Sequence, residues 1–193
     1  MRIFVAGASG VIGSRLIPLL VNAGHDVAGM TRSPAKVGPL EALGAEPVVC
    51  DVFNLTALSE VVGAFRPDVV LHQLTDLPDD PSRIRELSEL NSRIRRQGTR
   101  NLLVAAKAAG AHGFVAQSVA WQIPGDGGAA VEDHEGEVLA AGGVVIRYGQ
   151  FYGTGTYFEF EPPPPPRVHI DEAVRRTLDA LEMPSGVIFV TDK

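Results

Sequence analysis

Gly7-Ala8-Ser9-Gly10-Val11-Ile12-Gly13 lies between an apolar run, Ile3-Phe4-Val5-Ala6, and an amphipathic run from Val11 to Ala23. The first run reads as a buried strand and the second as a helix, so the three glycines occupy a strand-to-helix turn. Each has a physical task there. Gly7 lets the chain turn sharply after the strand, Gly10 leaves room for a pyrophosphate to approach the backbone, and Gly13 lets the helix pack close to the sheet. The N–H groups that open the helix face the phosphates, helped by the helix dipole. The spacing G-x-x-G-x-x-G is a variant of G-x-G-x-x-G, and its place directly between a strand and a helix is the context that marks a dinucleotide cradle. The competing reading is an ordinary glycine-rich turn.

The 193 residues suit one domain with a full core, residues 1–193. A net charge of −6 gives no electrostatic case for nucleic acid or an anionic membrane. The single cysteine, Cys50, ends the apolar run Pro47-Val48-Val49 and reads as a buried, inert thiol. No run is long and apolar enough to span a bilayer, and the first residues read as a strand rather than a signal peptide. A cytoplasmic protein is the expectation.

Strands and helices alternate along the chain. Asp26–Met30 reads as a second strand, followed by Thr31-Arg32-Ser33 with Lys36 close by and no Asp or Glu. An acidic residue at the end of the second strand of a dinucleotide fold holds the 2′-hydroxyl of NAD, whereas an arginine there favours the 2′-phosphate of NADP. Arg32 therefore points to NADP, with NAD possible; a solvated surface arginine is the alternative. A short helix over 35–43 and a third strand, Glu46–Cys50, come next. Asp51-Val52 follows, where the carboxylate suits an adenine amino group or, equally, a turn before the helix Leu55–Phe65. Val69–His72 is a fourth strand whose carboxyl end carries Gln73-Leu74-Thr75, and in an open parallel sheet that edge faces the ligand crevice.

One long helix is expected over 82–109, with Ile84, Leu87, Leu90 and Ile94 on one face and Arg83, Arg85, Arg93, Arg95, Arg96 and Arg100 on the others. The arginines read as a solvated face balanced by Glu86 and Glu89; the competing reading is contact with a phosphate-bearing ligand or a partner helix. Gly113–Gln117 is a fifth strand ending at Ser118, Glu132–Ala141 a short helix and Val144–Arg147 a sixth strand. Pro162–Pro166 is a stiff extended spacer. A helix over Ile170–Leu181 and a strand over Gly186–Val190 close the chain. This rhythm predicts parallel βαβ units, an α/β fold of the Rossmann-like, doubly wound kind with helices on both faces.

Several segments then carry a resemblance. The N-terminal glycine turn, Asp51-Val52, Gly98-Thr99-Arg100-Asn101-Leu102-Leu103, Arg147-Tyr148-Gly149-Gln150-Phe151-Tyr152-Gly153 and Val168-His169-Ile170-Asp171-Glu172-Ala173 occur in this order. Together they resemble the short-chain dehydrogenase/reductase superfamily, in its extended and atypical branch, the NAD-dependent epimerase/dehydratase family. The resemblance implies that Gly7, Ser9, Gly10, Val11 and Ile12 line a pyrophosphate and that Arg32 meets the 2′-phosphate. It also implies that Asp51 and Val52 hold adenine, that Gln73 and Leu74 run along the second ribose, and that Tyr148, Gly149 and Gln150 sit near the nicotinamide and substrate.

The chain departs from the family in two ways. No Tyr-x-x-x-Lys pair exists anywhere in it, since tyrosines stand only at 148, 152 and 157 and lysines only at 36, 107 and 193. That pair normally moves the proton while hydride moves to or from the nicotinamide. Ser118, Tyr148 and His134 are the remaining proton-handling candidates, His134 for its intrinsic pKa; a surface helix histidine is the plainer reading of it. Arg95 stands where the family usually has an asparagine. In addition, only residues 154–166, a proline-rich connector, separate the sixth strand's end from the His169 segment, so the C-terminal substrate lobe is vestigial. An open pocket, a cover formed by the Tyr157-Phe158 loop, or completion by another subunit, such as a homodimer partner, would follow. The expected activity is an NADP-preferring epimerase/dehydratase-like oxidoreductase acting on a small molecule; the alternatives are a non-catalytic NADP(H)-binding sensor or scaffold, and a cofactor-holding subunit.

Overall fold

The computed structural model describes residues 1–78, 80–84, 86 and 88–192. The strands are β1 (Arg2–Ala6), β2 (Asp26–Thr31), β3 (Glu46–Val49), β4 (Val69–His72), β5 (Gly113–Val119), β6 (Val144–Tyr148), β7 (Gln150–Tyr152), β8 (Arg167–His169) and β9 (Gly186–Val190). Seven of them form one parallel sheet in the order β3-β2-β1-β4-β5-β6-β9. Helices α1 (Gly13–Asn22), α2 (Val37–Ala42), α3 (Leu55–Phe65), α4 (Ser88–Arg93), α5 (Thr99–Ala108), α6 (Asp126–Ala140) and α7 (Ile170–Asp179) make the connections. The expected doubly wound α/β architecture is what the chain adopts.

Both sheet faces are dry. Side chains alternate across a strand, so Ile3 and Val5 of β1 join one apolar layer and Phe4 and Ala6 the other. The first layer packs on α1 through Leu16, Ile17 and Leu20 and on α7 through Ala173 and Val174. The second packs on α3, α5 and α6 through Leu58, Val62, Leu102, Ala105 and Val138. Cys50 is buried in this second layer, as expected. Among the described residues no helix is long and apolar enough to cross a membrane.

Three expectations need correction. The helix expected over 82–109 is divided: a 3-10 turn at Pro81–Arg83, then α4, a π-helical turn at Ile94–Gly98, and α5. The periodic face does not hold together either, because Leu90 is exposed while Ile94 is buried, and Leu87 lies outside the described residues. Helix α6 starts six residues before the expected Glu132, at Asp126, because Gly125 at φ 65 makes the turn into it. Finally, β7 and β8 pair as a small parallel sheet that periodicity did not reveal; three-residue strands carry too little pattern to read.

Candidate active site at the carboxyl edge of the sheet

Strand order reverses between β1 and β4, and a crevice opens at such a switch point beyond the carboxyl ends of the strands. Its floor is the glycine turn. Gly7 has φ +92°, and a Cβ on it would lie 2.6 Å from the backbone carbon and oxygen of Gln73. A Cβ on Gly13 would lie 2.4 Å from the Gly7 carbonyl oxygen, which is how α1 comes so close to the sheet. Gly10 differs: a Cβ there meets only the Gly7 oxygen, at 3.3 Å, and both Ser9 and Gly10 are exposed. Two glycines therefore serve close packing, and the third faces open space at the helix N-terminus. Val11 is half-buried and Ile12 buried behind them. Beside the turn, Gln73 is 8 % exposed; its Nε2 makes no hydrogen bond of good geometry, and the polar group close to it is the Tyr148 hydroxyl. A buried amide so poorly satisfied next to a glycine cradle fits a bound dinucleotide, whose oxygens would satisfy it.

Arg32 projects from the end of β2 and pairs with Asp76, at 2.8 Å, from the segment after β4. Asp76 is itself held by the Asn91 side chain, which accepts its backbone N–H. Asp51 accepts the N–H of Phe53 at 2.9 Å, so one of its oxygens makes the turn that leads to α3, whose N-cap is Asn54. Val52 is a core residue against Gly98, and its carbonyl accepts from the Asn101 side chain. Leu74 is half-buried at the β4 edge, with its carbonyl accepting from Gln117 Nε2.

The three proton-handling candidates all lie inside the protein. Tyr148, 2 % exposed, bonds to Thr177 Oγ1 at 2.6 Å. Thr177 spends its own proton on the Ala173 carbonyl, so Tyr148 is the donor and its phenolic proton is used within the core. Burial pushes this hydroxyl up to about 12, against the opposing effects of Thr177 and the nearby Gln73 amide. Tyr148 is thus a buried side chain at the carboxyl end of β6, close to Gln73, with its proton engaged by Thr177. Tyr148→Phe is expected to cost about 1 kcal/mol in urea unfolding and to leave cofactor affinity unchanged in calorimetry.

His134 is not the surface histidine that its polar neighbours suggest; it is 1 % exposed. Its Nε2 lies 2.9 Å from the Gln117 carbonyl oxygen, so that nitrogen carries the proton and Nδ1 accepts from Thr99 at 2.7 Å. Thr99 in turn accepts from His72 Nε2 at 3.1 Å, and His72 Nδ1 accepts the Leu74 N–H at 3.3 Å. Every proton in this relay is assigned with both imidazoles neutral. Burial, the largest cause, lowers His134 to about 4, with Arg95 acting in the same direction. His72 is also lowered well below its usual value, by burial first and then by His134 and Arg95.

Ser118 is 1 % exposed and donates to Glu135 Oε1 at 2.5 Å. Glu135 also holds Arg147 at 2.5 Å. Burial raises the Glu135 carboxyl, but the Arg147 and Ser118 bonds outweigh it and leave the group below its ordinary value. Gly149 and Gln150 are joined to the chain's C-terminal part. Gly149 donates its N–H to the Val190 carbonyl, a Cβ on it would lie 2.6 Å from the Arg167 backbone, and Gln150 donates its N–H to the Pro166 carbonyl. The loop after β7 folds back over the crevice: Arg15 of α1 donates to the Thr154 carbonyl at 2.5 Å, and the Tyr157 hydroxyl donates to the Pro78 carbonyl.

A glycine-floored crevice at the switch point of a 3-2-1-4-5-6-type sheet defines a dinucleotide-binding Rossmann protein. The sequence model of the NAD dependent epimerase/dehydratase family matches residues 3–141, and the chain belongs to that family. A curated relative, the 3-diazoavenalumate denitrifying reductase of a Streptomyces species, is 32% identical over 238 positions, covering 100% of this chain and 76% of the relative. Among solved structures, the UDP-glucose 4-epimerase of Thermus thermophilus, in complex with NAD, superposes with a TM-score of 0.80 at 20% identity. It covers 99% of this chain, which spans 78% of it. The UDP-glucuronic acid 4-epimerase of Bacillus cereus, with UDP-glucuronic acid and NAD, gives 0.78 at 22% identity, with 100% and 78% covered.

Proposed function

We propose that the chain is an NADP(H)-dependent oxidoreductase of the epimerase/dehydratase kind that acts as a reductase on a small-molecule substrate. The observation that carries this reading is the cradle: the Gly7 turn closed against the backbone just after β4, Gly10 open, and the Gln73 amide buried beside them without a hydrogen bond of good geometry. In this reading Gly7, Ser9, Gly10, Val11 and Ile12 run along the pyrophosphate, with the first-turn amides of α1 as its donors. Asp51 and Val52 border the adenine, and Gln73 and Leu74 the second ribose. When bound, the dinucleotide supplies a hydride from its nicotinamide ring. The chain's own residues bind and orient it; Ser118, His134 and Tyr148 hold their protons in internal bonds and serve the scaffold.

Arg32 is the basis for NADP over NAD. Its guanidinium is mostly exposed, so although it pairs with the largely buried Asp76 its outer face is free in water for a 2′-phosphate to approach. The name of the Streptomyces relative, a reductase, supports the direction of transfer. The test is calorimetric titration with NADPH and, separately, NADH. NADPH is expected to bind more tightly, and Arg32→Ala to weaken it by about ten- to a hundredfold, as loss of a charge-assisted hydrogen bond does, with NADH little changed. Equal loss for both cofactors would remove the 2′-phosphate assignment, and no binding of either would remove the whole reading.

A further inference from the structure

Arg95 is the residue of this crevice region that the proposed activity leaves unexplained. It is 6 % exposed, and among the described residues no hydrogen bond or ion pair engages its guanidinium, whose nitrogens are not fully closed off from solvent. The nearest described arginines are occupied: Arg93 stacks on Phe53 and bonds Gln97, Arg96 holds Asp126 and Asp133, and Arg100 holds Glu137. The carboxylate whose charge Arg95 feels is Glu135, and its oxygens are already committed to Arg147 and Ser118. The two histidines beside it are neutral, and the relay bonds hold them so. The region therefore carries one positive charge that nothing in the fold balances.

A cation so largely withdrawn from water without a protein partner is costly, and an apolar side chain of similar size would pack there at lower free energy. Its backbone is unusual as well. Arg95 belongs to the π-helical turn, a rare element that clusters at functional sites, and this turn brings Arg95 inward together with Ile94 and Gly98. It sits on the α5–α6 side of the sheet, beyond the ends of β4 and β5, whereas the glycine turn and α1 pack on the opposite side. The cofactor's pyrophosphate at α1 is therefore not its partner.

We propose that Arg95 anchors the anionic group of the substrate, and that this group is a carboxylate on a small organic acid. The word substrate rests on the oxidoreductase reading above; the anion site does not. A single guanidinium near two neutral imidazoles, whose rings touch each other with centroids 5.3 Å apart, matches a monoanion, and its planar fork matches a carboxylate through two parallel N–H···O bonds.

The test is calorimetry and thermal melting of the wild type, Arg95→Met and Arg95→Lys with benzoate, with inorganic phosphate, and with chloride at equal ionic strength. An NADPH titration is run on each protein. Benzoate is expected to bind the wild type and raise its melting temperature, to bind Arg95→Lys about tenfold more weakly, and not to bind Arg95→Met. Without ligand, Arg95→Met is expected to melt at or above the wild type, and NADPH affinity to stay within about twofold in both variants. Benzoate binding that survives in Arg95→Met, or fails in the wild type, overturns the site, and phosphate binding tighter than benzoate overturns the carboxylate. Arg95→Met melting far below the wild type makes the arginine a structural cation and also overturns the proposal. Benzoate binding without NADPH binding in the wild type would sink the cofactor reading and leave the anion site standing.

Discussion

Gly10→Ala is expected to leave thermal stability nearly unchanged while weakening NADPH binding by about ten- to a hundredfold, and Gly7→Ala to do its damage first to the fold. The two glycines are three residues apart in one turn, yet their surroundings differ. A methyl group on Gly10 would face one carbonyl oxygen at 3.3 Å and otherwise open space, so the folded chain tolerates it. The same methyl would occupy the surface along which a pyrophosphate approaches, and overpacking of that kind costs about 1–3 kcal/mol. At Gly7 the backbone φ of +92° is itself strained for any residue with a Cβ, and that Cβ would lie 2.6 Å from the main chain of Gln73. The strain alone costs about 1–2 kcal/mol. The contact falls on the backbone just after β4 rather than on a flexible side chain, so a total of about 3 kcal/mol or more is expected. At about 2–4 °C per kcal/mol for a chain of this size, the melting temperature should fall by roughly 6–12 °C. NADPH affinity of Gly10→Ala equal to the wild type's would remove the cradle as the cofactor site. An unshifted melting temperature for Gly7→Ala would mean that β1 and β4 do not meet as closely as the structure has them.

What could be read in the chain beforehand was local. The glycine turn lies within one strand, one turn and one helix, and the alternating strands and helices are written in short-range periodicity, so the parallel sheet followed from both. The interior of the site was not local. Ser118, His134 and Tyr148 are ordinary proton-handling residue types, and nothing in their immediate neighbours shows that Glu135, Thr99 and Thr177 would close over them. His72, Thr99 and His134 come from three separate elements and form a relay only after the sheet and helices have assembled. Arg95 was the hardest to see. Six arginines along one stretch read as a solvated face, which describes Arg83, Arg93, Arg96 and Arg100 well. One extra residue in a helical turn separates Arg95 from that face, and a heptad-scale pattern does not register it.

The neutral histidine pair should make the protein sensitive to mild acid, over a window set by its own burial. His134 has an ordinary value of 6.5 and about 4 in the fold, and His72 is lowered in the same sense. Between those limits the unfolded chain takes up protons that the folded chain refuses, so stability is fully present above about pH 6.5 and is lost as pH falls towards 4. Each histidine contributes a slope of about 1.4 kcal/mol per pH unit within its window, and for His134 the whole loss is about 3 kcal/mol. The surroundings reinforce the direction. Arg95 opposes a second positive charge, and protonating His134 Nδ1 or His72 Nδ1 would turn an acceptor of the Thr99 hydroxyl or of the Leu74 N–H into a donor facing a donor. The Gln117 carbonyl and, more weakly, Glu135 act in the opposite sense on His134, but burial outweighs both. Urea unfolding at pH 8, 6.5, 5.5 and 5 reads the effect before carboxylates protonate to any extent. Stability is expected to be flat from 8 to 6.5 and to fall steadily below. His134→Gln should be less stable than the wild type at pH 8, through its damaged bonds to Thr99 and Gln117, yet lose about one proton's worth of slope below 6.5. A wild-type protein equally stable at pH 7 and pH 5 would mean that the two imidazoles are not held neutral, and the direction of every hydrogen bond from Leu74 to Gln117 would have to be reassigned.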